Sequence, residues 1–379
     1  MLCRLLQGVD KERFDPAVIS LADRGTLGDR VEALGIAVHP IGMKPGVPGP
    51  ISLGRLLGVV RRLKPDLIQG WMYHGNLAAQ LAGSLAARRI PVLWNIRQSL
   101  YSLDFEKPGT VAAIKLGARL SKLPARILNN SQTSATQHEA IGYQAGKTCI
   151  ILNGFDTELF VPSAEARRSV RSELGVAENT LLVGLVGRYH PIKDHANFLH
   201  AARLLLETHL DVQFVLSGKG ISWKNGPLSD LIYDLGIVER VHLLGERLDM
   251  PRLTASFDIA SSSSYGEGFS NVIGEAMSCG VPCVVTDVSD SPKIVVETGK
   301  VVPPHDPEAF AAACRSLIDL GPSGRRALGE AARLRVIENF SLSSVVAQYE
   351  ALYTSVLAQQ ATERLRAKGL VAVSQQKRY

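Results

Sequence analysis

Residues 261–282 read SSSSYGEGFSNVIGEAMSCGVP, and the order of residue types in this stretch sets the architecture around it. An apolar run, Phe257–Ala260, leads into the serines, and a loop of small residues follows. A helix then begins near Ser270 and stops at Gly280 with Pro282 just beyond, a sound C-terminal signature. The next apolar run, Pro282–Thr286, follows directly. Strand, loop, helix and strand in this order form one parallel crossover unit. The loop Gly266–Ser270 therefore offers unpaired backbone N–H groups at a helix start, where orphan amides and the helix dipole both favour an anion.

The same alternation extends outward on both sides. Leu181–Val186, Val212–Leu216 and Val241–Leu244 are short apolar runs separated by helical stretches such as Asp194–Glu207. Runs of this length predict parallel strands buried on both faces, and hence a doubly wound α/β sheet. The front half supplies Ala17–Leu21, Val38–Ile41, Leu67–Gln69, Val92–Ile96, Arg126–Asn129 and Thr148–Leu152 as strands. Turn chemistry over Asn153–Pro162, before a charged helix Ala164–Leu174, marks a boundary between two such domains. The expected division is 1–160, 161–342, and a closing segment 343–379. In that segment a helix crosses back toward the first domain and the tail from Lys368 is frayed. Met1–Gly8 reads as a helix with Leu2, Leu5 and Leu6 on one side. The strand and Gly-rich turn that usually open a doubly wound domain are therefore expected to be missing.

Composition narrows the class. Hydrophobic residues make up 46% and charged residues 21%, a globular mix. Apolar stretches are interrupted well before the ~20 residues of a membrane span, and no secretory signal is read at the start. Five scattered cysteines without a C-x-x-C pair fit a reduced, cytoplasmic protein and no metal or redox centre. Of the net +6, residues 1–160 hold 19 Lys and Arg against 12 Asp and Glu, and the remainder 23 against 24. The basic helical stretches Arg55–Lys64 and Lys107–Arg126 read as solvated faces, or as a surface for anionic lipid or a phosphate-bearing acceptor. Nucleic acid is disfavoured, because aromatics are not interleaved with these charges.

A second chemical element is Gly187-Arg188-Tyr-His-Pro-Ile-Lys193-Asp194, between an apolar run and a helix. Loops at the carboxyl ends of parallel strands line the binding crevice. Arg188 as a planar fork and Lys193 as a point charge suit a diphosphate and the charge developing on its departure. The plainer alternative makes them surface cations, Glu267 an acidic helix start and Glu275 a solvated helix residue.

Together these motifs resemble family-4 glycosyltransferases of the GT-B fold. The resemblance rests on V-G-R188 followed by Lys193, on L-L-G245, on E267-G-F through E275-A-M-S-C-G-V-P, on T286-D287 and on T298-G-K-V-V-P-P. It runs forward through N153-G-F-D156 and Phe160. It implies two Rossmann-like domains facing a cleft, and transfer of a sugar from a nucleotide-diphosphate donor with retention of configuration. The acceptor would be a cell-surface polysaccharide or glycolipid. It implies donor contacts from Gly187, Arg188, Lys193, Gly218, Gly268, Phe269, Ser270 and Asn271, with Glu267 at the sugar and Glu275 at the ribose. Arg247 and Leu248 would lie against the base. No metal and no other cofactor is implied, since Arg and Lys take the place of the ion. His74, near a strand end, joins Glu267, Arg188 and Lys193 as a catalytic candidate. The chain departs from its relatives at the absent Gly-rich loop, at Arg97 where many carry His, and at Lys293 where many carry an acidic residue. Two other readings stay open: a nucleotide-sugar epimerase on the same fold, and a truncated or inactive nucleotide-binding protein. A dehydrogenase is disfavoured, since no G-x-G-x-x-G follows a strand with an acidic partner beyond it.

Overall fold

Short apolar runs in this chain do fold as parallel strands, because a strand buried on both faces needs no polar alternation. The structure, a computed structural model, describes residues 1–44 and 49–367; the expected frayed tail from Lys368 lies outside the described residues. The chain divides into two compact units, residues 1–152 with the segment from Val345 onward, and residues 153–344.

In the first unit the strands are β1 (Val18–Ser20), β2 (Val38–Pro40), β3 (Ile68–Trp71), β4 (Val92–Ile96), β5 (Arg126–Asn129) and β6 (Thr148–Ile150). All pair in parallel, but in two separate sheets, β1-β2 and β3-β4-β5-β6. Ile19 on β1 and Ile68 on β3 pack onto one apolar cluster around Ile41, Leu56 and Val60, although no hydrogen bond joins the two strands. Leu2–Gly8 is helical, as read, and among the described residues no strand precedes β1.

The second unit holds β7 (Leu181–Val186), β8 (Val212–Ser217), β9 (Val241–Leu243), β10 (Ile259–Ser262), β11 (Cys283–Thr286) and β12 (Gly299–Val302). Their order in one parallel sheet is β12-β11-β10-β7-β8-β9. The chain winds outward from β7 to β9, then returns to lay β10 on the other side of β7. That reversal is the topological switch point of a doubly wound sheet. β12 escaped the sequence reading because Lys300 and Val301 are exposed, so its burial pattern is that of an edge.

Two boundaries differ from the expected ones. The second unit begins at Asn153 rather than after residue 160. The Phe155 amide donates to Phe340 O at 2.8 Å and the Leu342 amide to Phe155 O at 2.8 Å. The fully buried Phe155 ring lies where a Cβ on Gly274 would stand 2.1 Å away. The closing helix runs unbroken over Leu342–Ala367 and joins the first unit from Val345. Among the described residues no helix is long and apolar enough to cross a membrane. All five cysteines are free, and burial pushes the Cys279 and Cys314 thiols up to about 12, which makes them inert packing groups.

Acid sensitivity is built into the first unit at His138. Its Nδ1 donates to Ser134 O at 2.7 Å, which leaves Nε2 to accept from the Tyr73 hydroxyl at 3.0 Å. Burial pushes its pKa down to about 4, opposed by the Ser134 bond. A folded pKa below the unfolded 6.5 gives stability that is full above pH 6.5 and is lost as pH falls toward 4. At pH 5 the loss from this group is about 2 kcal/mol. Urea melts at pH 7 and pH 5 should therefore show His138→Gln losing less stability on acidification than the native chain; equal losses would contradict the assignment.

Candidate functional site

The switch point between β7 and β10 places two loops side by side at the carboxyl ends of adjacent strands. After β7 come Gly187 and the turn Pro191–Lys193; after β10 come Ser263 to Ser270 and then the helix Asn271–Ser278. The loops are tied together by their backbones. The Tyr265 amide donates to Ile192 O at 3.0 Å, and Ser263 Oγ to Lys193 O at 2.9 Å. Across this join Lys193 Nζ meets Glu267 Oε1 at 2.5 Å, and Ser264 Oγ donates to the same carboxylate oxygen at 2.7 Å. Both side chains are largely sheltered, 22% and 11% exposed, which strengthens the pair beyond a surface one.

Gly218 closes the site from the β8 side. Its φ is +149°, and a Cβ there would stand 2.2 Å from Gly187 O. Its amide donates to Gly245 O at 2.8 Å, and the Gly187 amide to Ser217 O at 2.9 Å, so the ends of β7, β8 and β9 are knitted together. Only a residue without a side chain permits this approach.

Arg188 is exposed and carries no ion pair among the described residues. Burial first, then Arg188 and Lys193, hold the His190 imidazole below its ordinary pKa, and burial with Lys193 pushes His195 down to about 4. The Ser270 position that caps Asn271–Ser278 makes no side-chain cap bond, and its buried Oγ has no partner among the described residues. Phe269 is buried, stacked on Phe155 at 5.9 Å. Asn271 Oδ1 accepts from Asn153 Nδ2 at 2.6 Å.

The remaining candidates lie as follows. Glu275 sits one turn into the helix, half-buried, lining a narrow pocket with Val186, Thr254 and Ser261. Arg247 is held by Asp249, with Nε to Oδ1 at 2.8 Å and Nη2 to Oδ2 at 2.7 Å, and by Glu173. Its guanidinium thus faces two carboxylates, while Leu248 is 99% exposed. Lys293 Nζ reaches Asp290 Oδ1 at 3.2 Å. His74 belongs to the first unit, exposed in the first turn of the helix Met72–Leu85. Sequence reasoning missed His305, whose Nδ1 lies 2.6 Å from Asp194 Oδ2 and whose ring packs 4.9 Å from Tyr265. Its position just past the T-G-K-V-V-P-P run was the available signal.

Comparison with known proteins covers both units. The model of Glycosyltransferase Family 4 matches residues 1–159, and that of Glycosyl transferases group 1 matches 180–319. Among curated proteins the chain is 29% identical to the putative glycosyltransferase EpsF of Bacillus subtilis, over 46% of this chain and 54% of that protein. It is 34% identical to an MMP alpha-(1->4)-mannosyltransferase of Mycolicibacterium hassiacum, over 54% and 47% respectively. It is 27% identical to an Escherichia coli UDP-Gal:alpha-D-GlcNAc-diphosphoundecaprenol galactosyltransferase, over 56% and 55%. The chain thus spans about half the length of the curated relatives it matches. In fold it is similar to Anabaena HepE, solved with UDP and glucose, at a TM-score of 0.80 and 24% identity, covering 93% of this chain and 95% of that one.

The approach at Gly218 gives a direct test. Gly218→Ala should lower the unfolding free energy by about 2 kcal/mol or more in denaturant melts. Unchanged stability would show that the β7 and β8 loops are not held as described.

Proposed function

The chain belongs to glycosyltransferase family 4, and on that premise we propose that it transfers a sugar from a nucleoside-diphosphate donor to a glycan or lipid-linked acceptor with retention of configuration. The observation that carries the reading is the meeting of Lys193 and Glu267 at the β7/β10 switch point, beside the start of Asn271–Ser278, which has no side-chain cap.

In this reading the donor diphosphate displaces Glu267 from Lys193 and lies between Lys193, Arg188 and the amides of Gly268, Phe269 and Ser270. Glu267 turns to the sugar hydroxyls, Glu275 to the ribose, and the segment carrying Arg247 and Leu248 to the base. As the bond from the anomeric carbon to the phosphate oxygen breaks, charge grows on the leaving diphosphate, where Arg188 and Lys193 stabilise it. The acceptor oxygen bonds to the same face of the anomeric carbon and passes its proton to the departing phosphate. Two protein cations then do the work of a divalent ion, so we infer a metal-independent reaction. His74 and the basic helices of the first unit are assigned to the acceptor side, at the cytoplasmic face of a membrane. In support stand the basic balance of residues 1–160 and the diphosphoundecaprenol named for the Escherichia coli relative.

Calorimetric titration with UDP and GDP tests the donor assignment. Arg188→Ala and Lys193→Ala should each weaken the tighter nucleotide at least about tenfold, ~1.4 kcal/mol. Affinity unchanged in both variants would remove the diphosphate from this site. With the matching donor sugar, NMR of the first-formed product should show the anomeric configuration kept; inversion would overturn the front-face route.

A further inference from the structure

The amino end of the first unit's sheet carries a cavity that the chemistry described so far leaves unused. Its volume is about 510 Å³, within the roughly 300–1,000 Å³ of small-molecule sites. The starts of β4 and β5 form its floor, where Val92 O accepts from the Ala125 amide at 2.8 Å. One wall is the helix Met72–Leu85 and another the closing helix Leu342–Ala367. Every lining residue belongs to the first unit. His74 follows β3 at its carboxyl end, so the cavity lies at the opposite end of the sheet from the residue assigned to the acceptor.

Both walls are anchored to the segment that leads into β4. On the first helix Gln80, Gly83 and Ser84 share one face. A Cβ on Gly83 would stand 2.5 Å from Val92 Cγ2, and Gly83 O accepts from the Ile90 amide at 3.5 Å. The closing helix is tied to Arg89 O, which accepts from Gln360 Nε2 at 2.7 Å and from Arg364 Nη2 at 3.0 Å.

Two features of the lining call for a ligand. Arg89, Arg126 and Lys147 all line the cavity, and none has a carboxylate partner among the described residues. Arg126 opens β5 and Lys147 directly precedes β6, its parallel neighbour, so like charges sit on adjacent strand ends, an unfavourable pairing. Arg126 Nη1 donates only to a neutral group, Ala125 O at 2.8 Å. The one carboxylate of the lining, Glu363, accepts from Gln359 Nε2 at 3.2 Å instead. The second feature is Gln80, 8% exposed, whose Nε2 donates to Ser84 Oγ at 3.2 Å while its Oε1 has no partner. A buried amide end left open is costly, and a hydroxyl satisfies it in either orientation of the amide, since it both donates and accepts.

We propose that this cavity is a second ligand site, separate from the one at the β7/β10 switch point, and that it takes a phosphorylated sugar. The phosphate monoester, with about two negative charges, lies between Arg126 and Lys147, with the exposed Arg89 at the rim. Sugar hydroxyls reach Gln80 and Glu363. Inorganic phosphate alone would neutralise the cations and leave Gln80 open, so a hydroxyl-bearing ester is the better fit. Bound there, the ester bridges the closing helix and the strand ends. The inference does not rest on the transferase reading.

The test is calorimetric titration of the full chain with glucose 6-phosphate, mannose 6-phosphate, inorganic phosphate and glucose, with melting temperatures read alongside. Expected are saturable binding of at least one ester with a raised Tm, and binding of inorganic phosphate and of glucose at least tenfold weaker. Arg126→Gln and Lys147→Gln should each weaken the ester at least fivefold. Gln80→Leu should weaken it too, with a ligand-free Tm level or raised because the open amide is gone; this variant separates lost binding from lost folding. Arg188→Ala, in the second unit, should leave ester affinity within twofold. Absence of binding by both esters, or equal affinity in the native chain and Lys147→Gln, would overturn the proposal. Inorganic phosphate binding as tightly as the ester would overturn the sugar assignment. Ester binding abolished by Arg188→Ala would place the ligand in the second unit and overturn the site.

Discussion

The arrangement of loops at the end of the second unit's sheet depends on one contact, Lys193 with Glu267, made across two adjacent strands whose connections part. In a doubly wound sheet the crossovers turn to opposite sides where the strand order reverses, and the loops at that point are left uncovered. Here the reversal lies between β7 and β10, and each strand delivers one half of the site. Sheet order therefore does what no single motif does: it converts residues 187–193 and 263–270, seventy apart in sequence, into neighbours. Gly218 fixes the third wall by letting one loop press against the backbone of another.

The same chain treats buried charge in two ways. Arg171 and Asp258 satisfy one another, so that pair serves the fold and asks nothing of a ligand. Lys193 also has a carboxylate, Glu267, reached across two loops and less deeply sheltered than Asp258 and Arg171. Arg97 has neither arrangement, and its partners Tyr349 and Asn95 orient it without neutralising it. Sheltered cations thus range from one paired with a buried carboxylate, through one paired at the sheet's end, to one held by neutral partners.

Much of this was legible in the residues. Apolar runs such as Val92–Ile96 and Leu181–Val186 match strand limits to the residue, because burial on both faces leaves few other reasons for such sequences. The helix start at Asn271 was readable from the Gly280–Pro282 stop and the small residues before it. The convergence of Lys193 and Glu267 was legible only through the fold, since nothing in either stretch refers to the other. β12 was missed because an edge strand with exposed Lys300 lacks the buried signature. The boundary fell eight residues early because Phe155 pairs with Phe340 and Leu342, a long-range bond that local turn chemistry does not record. Arg97 stood out in sequence only as an unusual residue; its bond to Tyr349, 252 residues away, is a long-range contact that no local pattern records.

A crystal structure of the chain with UDP bound tests the central claim most directly. The account predicts the two phosphates at the β7/β10 switch point, Lys193 Nζ moved off Glu267 and bonded to a phosphate oxygen, and the amides of Gly268 to Ser270 turned to the same group. A nucleotide bound elsewhere, with the Lys193–Glu267 pair still closed at 2.5 Å, would contradict it.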